Sequence, residues 1–296
     1  MVPEPIIKIF GQGITLYGVC IAVGILACII VLYLYTKRQG VPSQVQDYVF
    51  FIAIAAIAVG FLFAKLFQAF YDWIASGFKT FNFYNAGITV MGGLVGGAGM
   101  FLLLYFLLGK FVFKGEKSGW HKKYFNEILR VAPLCIVIAH AFGRIGCLMG
   151  GCCHGAYLGR EYVFGGIYMR GTTDGWGYYV PTQLYESLFL FVLFAVLSVL
   201  YFKRFNIILT IYLISYAVWR VIIEIFRTDY RGGSGGLSPS QWMSIVFVLI
   251  GAAILLFYKY KKIPFILPKI ETADGTNKTV TKQAEEIGQK EDKKEK

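Results

Sequence analysis

Charged side chains lie inside apolar stretches of this 296-residue sequence, where charge is costly and usually marks function. Arg144 stands near the end of one such stretch, and Arg220 and Glu224 stand near the end of another. A guanidinium group binds phosphate through two parallel hydrogen bonds and keeps its charge. Because lipid headgroups are the nearest abundant phosphates, the two arginines predict a headgroup site. The alternative is purely structural, with interhelical hydrogen bonds and one Arg220–Glu224 ion pair.

Residues 143–155 read GRIGCLMGGCCHG and form the most unusual segment of the chain. Its five glycines are expected to break a helix and let backbone line a cavity, which a membrane tolerates only under protein or water cover. Cys147, Cys152 and Cys153 allow three interpretations. In the first, they are small residues that pack in a tight turn. In the second, they form a disulfide or a reactive thiol relay on an oxidising face. In the third, they bind zinc, although their spacing in the sequence fits a zinc site poorly.

The composition requires a membrane environment for the elements that carry these residues. The chain is 57% hydrophobic and only 16% charged, whereas soluble proteins average about 25% charged residues. A membrane helix needs about 20 mostly apolar residues. The sequence therefore predicts an all-α bundle of seven transmembrane spans, at 13–35, 48–72, 88–109, 124–150, 182–202, 206–226 and 239–258.

The basic residues predict how the spans are oriented. Twelve Lys and Arg residues lie after the first, third, fifth and seventh spans, and six lie on the other side. By the positive-inside rule the N-terminus is outside and the C-terminus is cytoplasmic, so most polar side chains in the spans fall near the outer leaflet. The net charge of +12 then records topology and predicts no nucleic-acid partner. Residues 1–262 are expected to form the membrane domain, and 263–296 a disordered charged tail.

Several motifs resemble those of the prolipoprotein diacylglyceryl transferases. Residues 143–155 resemble the glycine–arginine segment of that family, and 181–186, which read PTQLYE, resemble its PSQLYE motif. The matching residues are Gly143, Arg144, Gly146 and Gly155 in the first motif, followed by Arg220 with Glu224 and Arg227, Ser240 with Gln241, Tyr17 with Gly18, and Gly92 with Gly93. The chain departs from the family where Cys147, Gly150 and Cys152 replace Asn, Asn and Glu, and where Met91 replaces His.

The resemblance implies transfer of a diacylglyceryl group from phosphatidylglycerol to the lipobox cysteine thiol of a preprolipoprotein, with release of glycerol phosphate. It implies a plasma-membrane enzyme whose active site faces the outer leaflet, with no metal or organic cofactor. By resemblance, Arg144 and Arg220 stabilise the phosphate and Glu224 orients Arg220. Residues assigned to substrate binding are Tyr17, Gly92, Gly93, Gly143, Gly146, Gly155, Gln183, Tyr185, Glu186 and Gln241.

The group that removes the thiol proton is left open by the sequence. The candidates are His140, His154 and Glu186, although His140 could simply be a buried histidine bonded to a carbonyl and His154 a solvated one. Nearby arginines could also lower the thiol pKa without a dedicated base. Two other functions remain as alternatives: a family paralogue with a different acceptor, or a non-enzymatic seven-span transporter or sensor.

Overall fold

The computed structural model describes residues 7–9, 12–84, 87, 89–171, 175–226 and 239–267. Within those ranges, seven helices are long and apolar enough to cross a membrane, which confirms the predicted all-α bundle of seven spans. They are α1 (Leu16–Arg38), α2 (Ser43–Ala75), α3 (Val90–Val112), α4 (Trp120–Met149), α5 (Thr182–Phe202), α6 (Ile208–Ile225) and α7 (Pro239–Tyr260). The predicted tail falls almost entirely outside the described residues, so its disorder stays a prediction.

The first two glycines of the 143–155 segment do not break α4 as predicted, and the helix ends only after Met149. Gly143 and Gly146 remain helical, and the helix continues to Met149. The amide of Gly151 then donates to the Leu148 carbonyl at 3.2 Å, and the amide of Cys152 donates to the Cys147 carbonyl at 3.1 Å. With Gly151 at a φ of 65°, these two bonds form the Schellman motif that closes many helices.

Among the described residues, five short strands accompany the helices, and none of them is predicted from the sequence. Strands β1 (Ile7–Ile9) and β2 (Gln12–Ile14) form an antiparallel hairpin before α1. Between α4 and α5, β3 (Tyr157–Gly159), β4 (Ile167–Arg170) and β5 (Trp176–Tyr179) form an antiparallel sheet in the order β3-β5-β4. Met169 and Tyr179 of this sheet are fully buried in a small apolar cluster with Leu148 of α4. The sheet is thereby attached to the end of α4.

The chain divides into two compact units. The first contains the described residues among 7–35 and 129–267, and therefore holds most of α1, the larger part of α4, the three-stranded sheet and α5 to α7. The second contains residues 36–128 of the described part of the chain, and therefore holds α2 and α3. The predicted separation into a membrane domain and a tail at residue 262 stays a prediction.

Glycines allow α2 and α3 to pack closely within the second unit. A Cβ atom added to Gly60 would lie 3.1 Å from the Gly93 carbonyl oxygen, and one added to Gly92 would lie 2.7 Å from the Phe63 carbonyl oxygen. Small residues at four-residue spacing permit this backbone approach in membranes. Gly92 and Gly93, assigned to substrate binding by resemblance, therefore have a structural reason to be glycine.

Gly92→Ala is expected to destabilise the protein by about 1–3 kcal/mol, because the added methyl group would meet backbone that cannot move independently. Gly99→Ala on the same helix is the matched control, since nothing lies within 4 Å of its added Cβ. The measurement is the melting temperature of each purified variant in detergent. Equal melting temperatures for the two variants would contradict the packing inferred between α2 and α3.

Candidate active site

A buried carboxylate on α5 is the centre of a polar cluster in the first unit. The Glu186 side chain is 0% exposed. Arg144 of α4 donates from Nη2 to Glu186 Oε1 at 3.0 Å, and the Tyr216 hydroxyl of α6 donates to the same oxygen at 3.2 Å. Arg220 of α6 brings Nη1 to 4.0 Å from Oε2. The two arginines predicted to bind phosphate therefore contact the two oxygens of one carboxylate.

A second carboxylate holds Arg220 from the other side. Arg220 Nη2 lies 3.0 Å from Glu224 Oε2, one helical turn along α6. The same nitrogen donates to the Ser240 hydroxyl of α7 at 2.9 Å, and that hydroxyl donates to the Glu224 carboxylate at 3.1 Å. The predicted Arg220–Glu224 pair is thus present as part of a closed network linking α6 to α7. Since Arg220 also contacts Glu186, the pair is not an isolated structural salt bridge.

Each arginine keeps one buried N–H group without a hydrogen-bond partner among the described residues. These groups are Nε of Arg144 and Nη1 of Arg220. An unsatisfied donor out of contact with water carries a desolvation penalty, which is larger for a charged group. An anionic oxygen bound at the cluster would accept these bonds. The cluster can therefore bind a phosphate group through donors that are already in position.

His140 belongs to this cluster and His154 is held elsewhere in the same unit. His140 Nε2 lies 3.7 Å from Glu186 Oε1, and its ring lies 5.3 Å from the Tyr216 ring between centroids. Among the described residues it therefore faces a carboxylate, instead of the backbone carbonyl expected for an ordinary buried histidine. His154 is buried rather than solvated, with Nδ1 3.0 Å from the Gly155 carbonyl oxygen and its ring against Tyr179 of β5.

Hydrogen bonds fix the loop after α4 to the start of α5. The side chain of Gln183 donates to the Cys152 carbonyl at 2.6 Å, and that of Thr182 donates to the Cys153 carbonyl at 2.8 Å. The Gly155 amide donates to the Val180 carbonyl at 2.9 Å. The amide nitrogen of Gln183, a residue predicted to bind substrate, therefore hydrogen-bonds to the loop.

The three grouped cysteines converge in this loop. Their Sγ atoms lie within 4.8 Å of one another. All six cysteines lie within the described residues, and none is in a disulfide, whereas the reactive thiol relay stays a prediction. Hydrogen bonds with Cys147 and Cys153, together with burial, raise the pKa of the Cys152 thiol above its usual range.

Tyr17 packs against the α4 glycines, while two other predicted binding residues lie near the N-terminal ends of α5 and α7. A Cβ atom on Gly146 would lie 3.2 Å from Tyr17 Cδ2, and the Tyr17 side chain is exposed. The Tyr185 hydroxyl donates to the Gly165 carbonyl at 3.3 Å, which ties α5 to the segment before β4. Gln241, at the start of α7, is partly buried.

Some predicted site residues do not join the cluster in the described structure. Gly143 is helical and has only Ile21 near its added Cβ, at 3.9 Å. A Cβ atom added to Gly155 would lie 2.5 Å from the Phe226 carbonyl oxygen. The absence of a side chain at Gly155 therefore allows the loop to approach the end of α6. Arg227, which completes the third family motif, lies outside the described residues.

Two residues of the hydrogen-bond network, Tyr216 and Ser240, are not among the predicted site residues. Tyr216 was not predicted, although it lies four residues before Arg220 and so shares a helix face with it. Ser240 was noticed only as part of a motif, and the structure makes it the bridge between Arg220 and Glu224. An i, i+4 search around each intramembrane arginine would have found the tyrosine.

Comparison with known proteins identifies the family. A family model described as prolipoprotein diacylglyceryl transferase matches residues 5–257. The chain belongs to that family. A Clostridium tetani protein named phosphatidylglycerol–prolipoprotein diacylglyceryl transferase is 30% identical to it, with 86% of this chain and 97% of that protein aligned.

Two further relatives within the family carry the same description. In Clostridium perfringens, phosphatidylglycerol–prolipoprotein diacylglyceryl transferase 2 is 31% identical, over 84% of this chain and 92% of its own length. The Streptococcus sanguinis relative is 29% identical, over 90% of this chain and 99% of its own. Family membership and the seven apolar helices together make the chain a multi-pass membrane transferase.

Proposed function

We propose that this diacylglyceryl transferase family member moves the diacylglyceryl group of phosphatidylglycerol to the lipobox cysteine thiol of a prolipoprotein. The names of the relatives support this donor and acceptor. The observation that carries the proposal is the pair of arginines on one buried carboxylate, each with a buried N–H group that has no hydrogen-bond partner among the described residues. These donors suit the phosphate of a lipid headgroup.

The chemistry follows from where charge develops. The acceptor thiol releases its proton to water, and its sulfur attacks the diacylglyceryl carbon that bears the phosphate oxygen. A C–S bond forms and the C–O bond breaks. Its electron pair leaves with glycerol phosphate, so negative charge grows on the phosphate oxygens in the transition state. Arg144 and Arg220 stabilise that charge with donors already held by Glu186, and such preorganised groups need little rearrangement during the reaction. Glu224 and Ser240 orient Arg220 from the other side.

The site is proposed to open toward the outer leaflet, with the N-terminus outside and the C-terminus cytoplasmic. In support, Arg144 and Arg220 lie near the C-terminal ends of α4 and α6, and Glu186 and Ser240 near the N-terminal ends of α5 and α7. In successive spans those ends share one side of the membrane. Basic residues are concentrated at the opposite ends, such as Lys37 with Arg38 and Lys259. Residues 263–296 then form a charged cytoplasmic tail.

The purified protein in phosphatidylglycerol vesicles is expected to convert a lipobox peptide to its diacylglyceryl thioether and to release glycerol phosphate in equal amount. Mass spectrometry of the peptide and an enzymatic assay of glycerol phosphate measure both products. A peptide with serine in place of the acceptor cysteine is the control. Donor consumption without peptide labelling would point to another acceptor, and no turnover of any lipid would favour transport or sensing.

A further inference from the structure

Three thiols are gathered by the end of α4 in an arrangement that the phosphate chemistry does not use. Cys147 lies in the last turn of the helix, and the Schellman bond from the Cys152 amide to the Cys147 carbonyl, 3.1 Å long, brings the two backbones together. Cys153 follows with a φ of 62°, which turns the chain back sharply. All three Sγ atoms lie within 4.8 Å of one another.

This spacing is close to that of thiolates around one metal ion. Zinc binds thiolate at about 2.3 Å, so two sulfurs in a tetrahedral site are separated by about 3.8 Å. The remaining difference is about 1 Å, which side-chain rotation of the three cysteines must close when an ion binds. The loop backbone is already fixed, because Gln183 and Thr182 hold the Cys152 and Cys153 carbonyls. The ligands are therefore pre-positioned by hydrogen bonds that do not depend on a metal.

The charge balance favours a divalent ion. Cys147 lies three residues after Arg144, so the two side chains share one helix face. Three thiolates around a divalent cation carry one net negative charge, which the neighbouring guanidinium complements. Thiolate ligands select zinc and other soft or borderline ions over magnesium and calcium. With three protein ligands, a tetrahedral ion keeps one position open, as catalytic zinc sites do.

We propose that Cys147, Cys152 and Cys153 bind a zinc-type divalent ion whose open position takes the thiol of the acceptor cysteine. This proposal rests on the proposed function. A metal-bound thiol loses its proton, which passes to water, and stays bound as the thiolate. The thiolate then forms the C–S bond as the C–O bond of the donor breaks, and the electron pair leaves with glycerol phosphate. Arg144, one turn away, links the thiol site to the phosphate site.

Cadmium binding tests the ion site without reference to activity. The full-length protein in detergent, stripped of metal and reduced, is titrated with Cd²⁺ while the ultraviolet thiolate-to-cadmium absorption is recorded. We expect saturation at one ion per chain, and the same in the matched control Cys20→Ala/Cys28→Ala/Cys135→Ala, which keeps only the clustered thiols. The variant Cys147→Ser/Cys152→Ser/Cys153→Ser is expected to lose this absorption.

Either of two results would overturn the ion site. One is equal absorption in the variant that lacks the clustered thiols. The other is a thiol count showing that protein purified without reductant holds a disulfide within the cluster, as a redox switch would. The melting temperatures of the wild type and of each variant show whether the variants are folded. If Cys147→Ser/Cys152→Ser/Cys153→Ser does not fold, single Cys→Ala variants at these three positions replace it.

A transfer assay separates this proposal from the proposed function. Metal removal and the clustered Cys→Ser changes are each expected to lower thioether formation by about 100-fold, and Zn²⁺ is expected to restore the stripped wild type only. Full transfer by the stripped protein or by the Cys→Ser variant would overturn the metal-bound thiol while leaving the proposed function standing. Cadmium binding with no thioether from any preparation would instead overturn the proposed function and, with it, the acceptor role of the ion.

Discussion

Arg144→Ala is expected to lower the rate of diacylglyceryl transfer by about 100- to 1000-fold, the cost of removing one preorganised donor from a developing oxyanion. Arg144 donates to Glu186 and keeps Nε buried without a hydrogen-bond partner among the described residues, so its loss removes both charge and a ready donor. Arg144→Lys is expected to recover only part of the rate, because an ammonium group lacks the planar fork of a guanidinium. Initial rates of thioether formation in vesicles measure both variants.

Arg170→Ala is the matched control for this prediction. Arg170 lies at the end of β4 in the same unit and is exposed, so its loss removes a positive charge without touching the cluster. We expect its transfer rate to equal that of the wild type. If Arg144→Ala also retained the wild-type rate while inserted in the membrane, the assignment of the phosphate site to the cluster would be wrong.

Glu186→Ala is expected to lower the free energy of unfolding by about 3–5 kcal/mol, because it leaves buried guanidinium charge without its carboxylate. The Glu186 side chain is fully buried and contacts Arg144, Arg220 and Tyr216. Transfer is expected to fall as well, since the arginines lose the group that holds them in position. Thermal unfolding in detergent, together with the transfer assay, measures both effects.

Two related variants separate charge from size at this position. Glu186→Gln keeps the shape and one acceptor oxygen but loses the charge, so its stability is expected to fall between those of the wild type and Glu186→Ala. Glu224→Ala removes a carboxylate that is 15% exposed and pairs with Arg220, so its loss is expected to be smaller. A larger loss for Glu224→Ala than for Glu186→Ala would contradict Glu186 as the centre of the cluster.

The spans and the two arginines could be predicted from the sequence because each rests on local information. A run of about 20 apolar residues identifies a membrane helix whatever its neighbours are. A charged residue inside such a run is conspicuous by itself. The predicted and observed helices therefore differ mainly at their ends, as in α2, which begins at Ser43 instead of 48.

The position of Glu186 at the centre of the polar cluster depends on contacts that sequence spacing cannot reveal. Its partners lie on α4 and α6, dozens of residues away, so the sequence alone marks Glu186 only as one motif residue or a possible base. The convergence of Cys147 with Cys152 and Cys153 likewise depends on the Schellman turn at Gly151. The strands β3 to β5 were missed because each has only three or four residues, too few for a period to emerge.

The network around Arg220 also bears on how the protein is assembled in the membrane. Helix α6 has 18 residues and carries both Arg220 and Glu224 near its C-terminal end. By translocon scales a charged side chain costs up to about 2.5–3.5 kcal/mol to insert, the value at the helix centre. Of the partners that offset this cost, Glu186 precedes α6 in synthesis and Ser240 follows it. Stable entry of α6 into the bilayer therefore depends on a hairpin with α5 forming first and on α7 arriving soon after. Biogenesis of this enzyme is thus coupled to the residues of its own site.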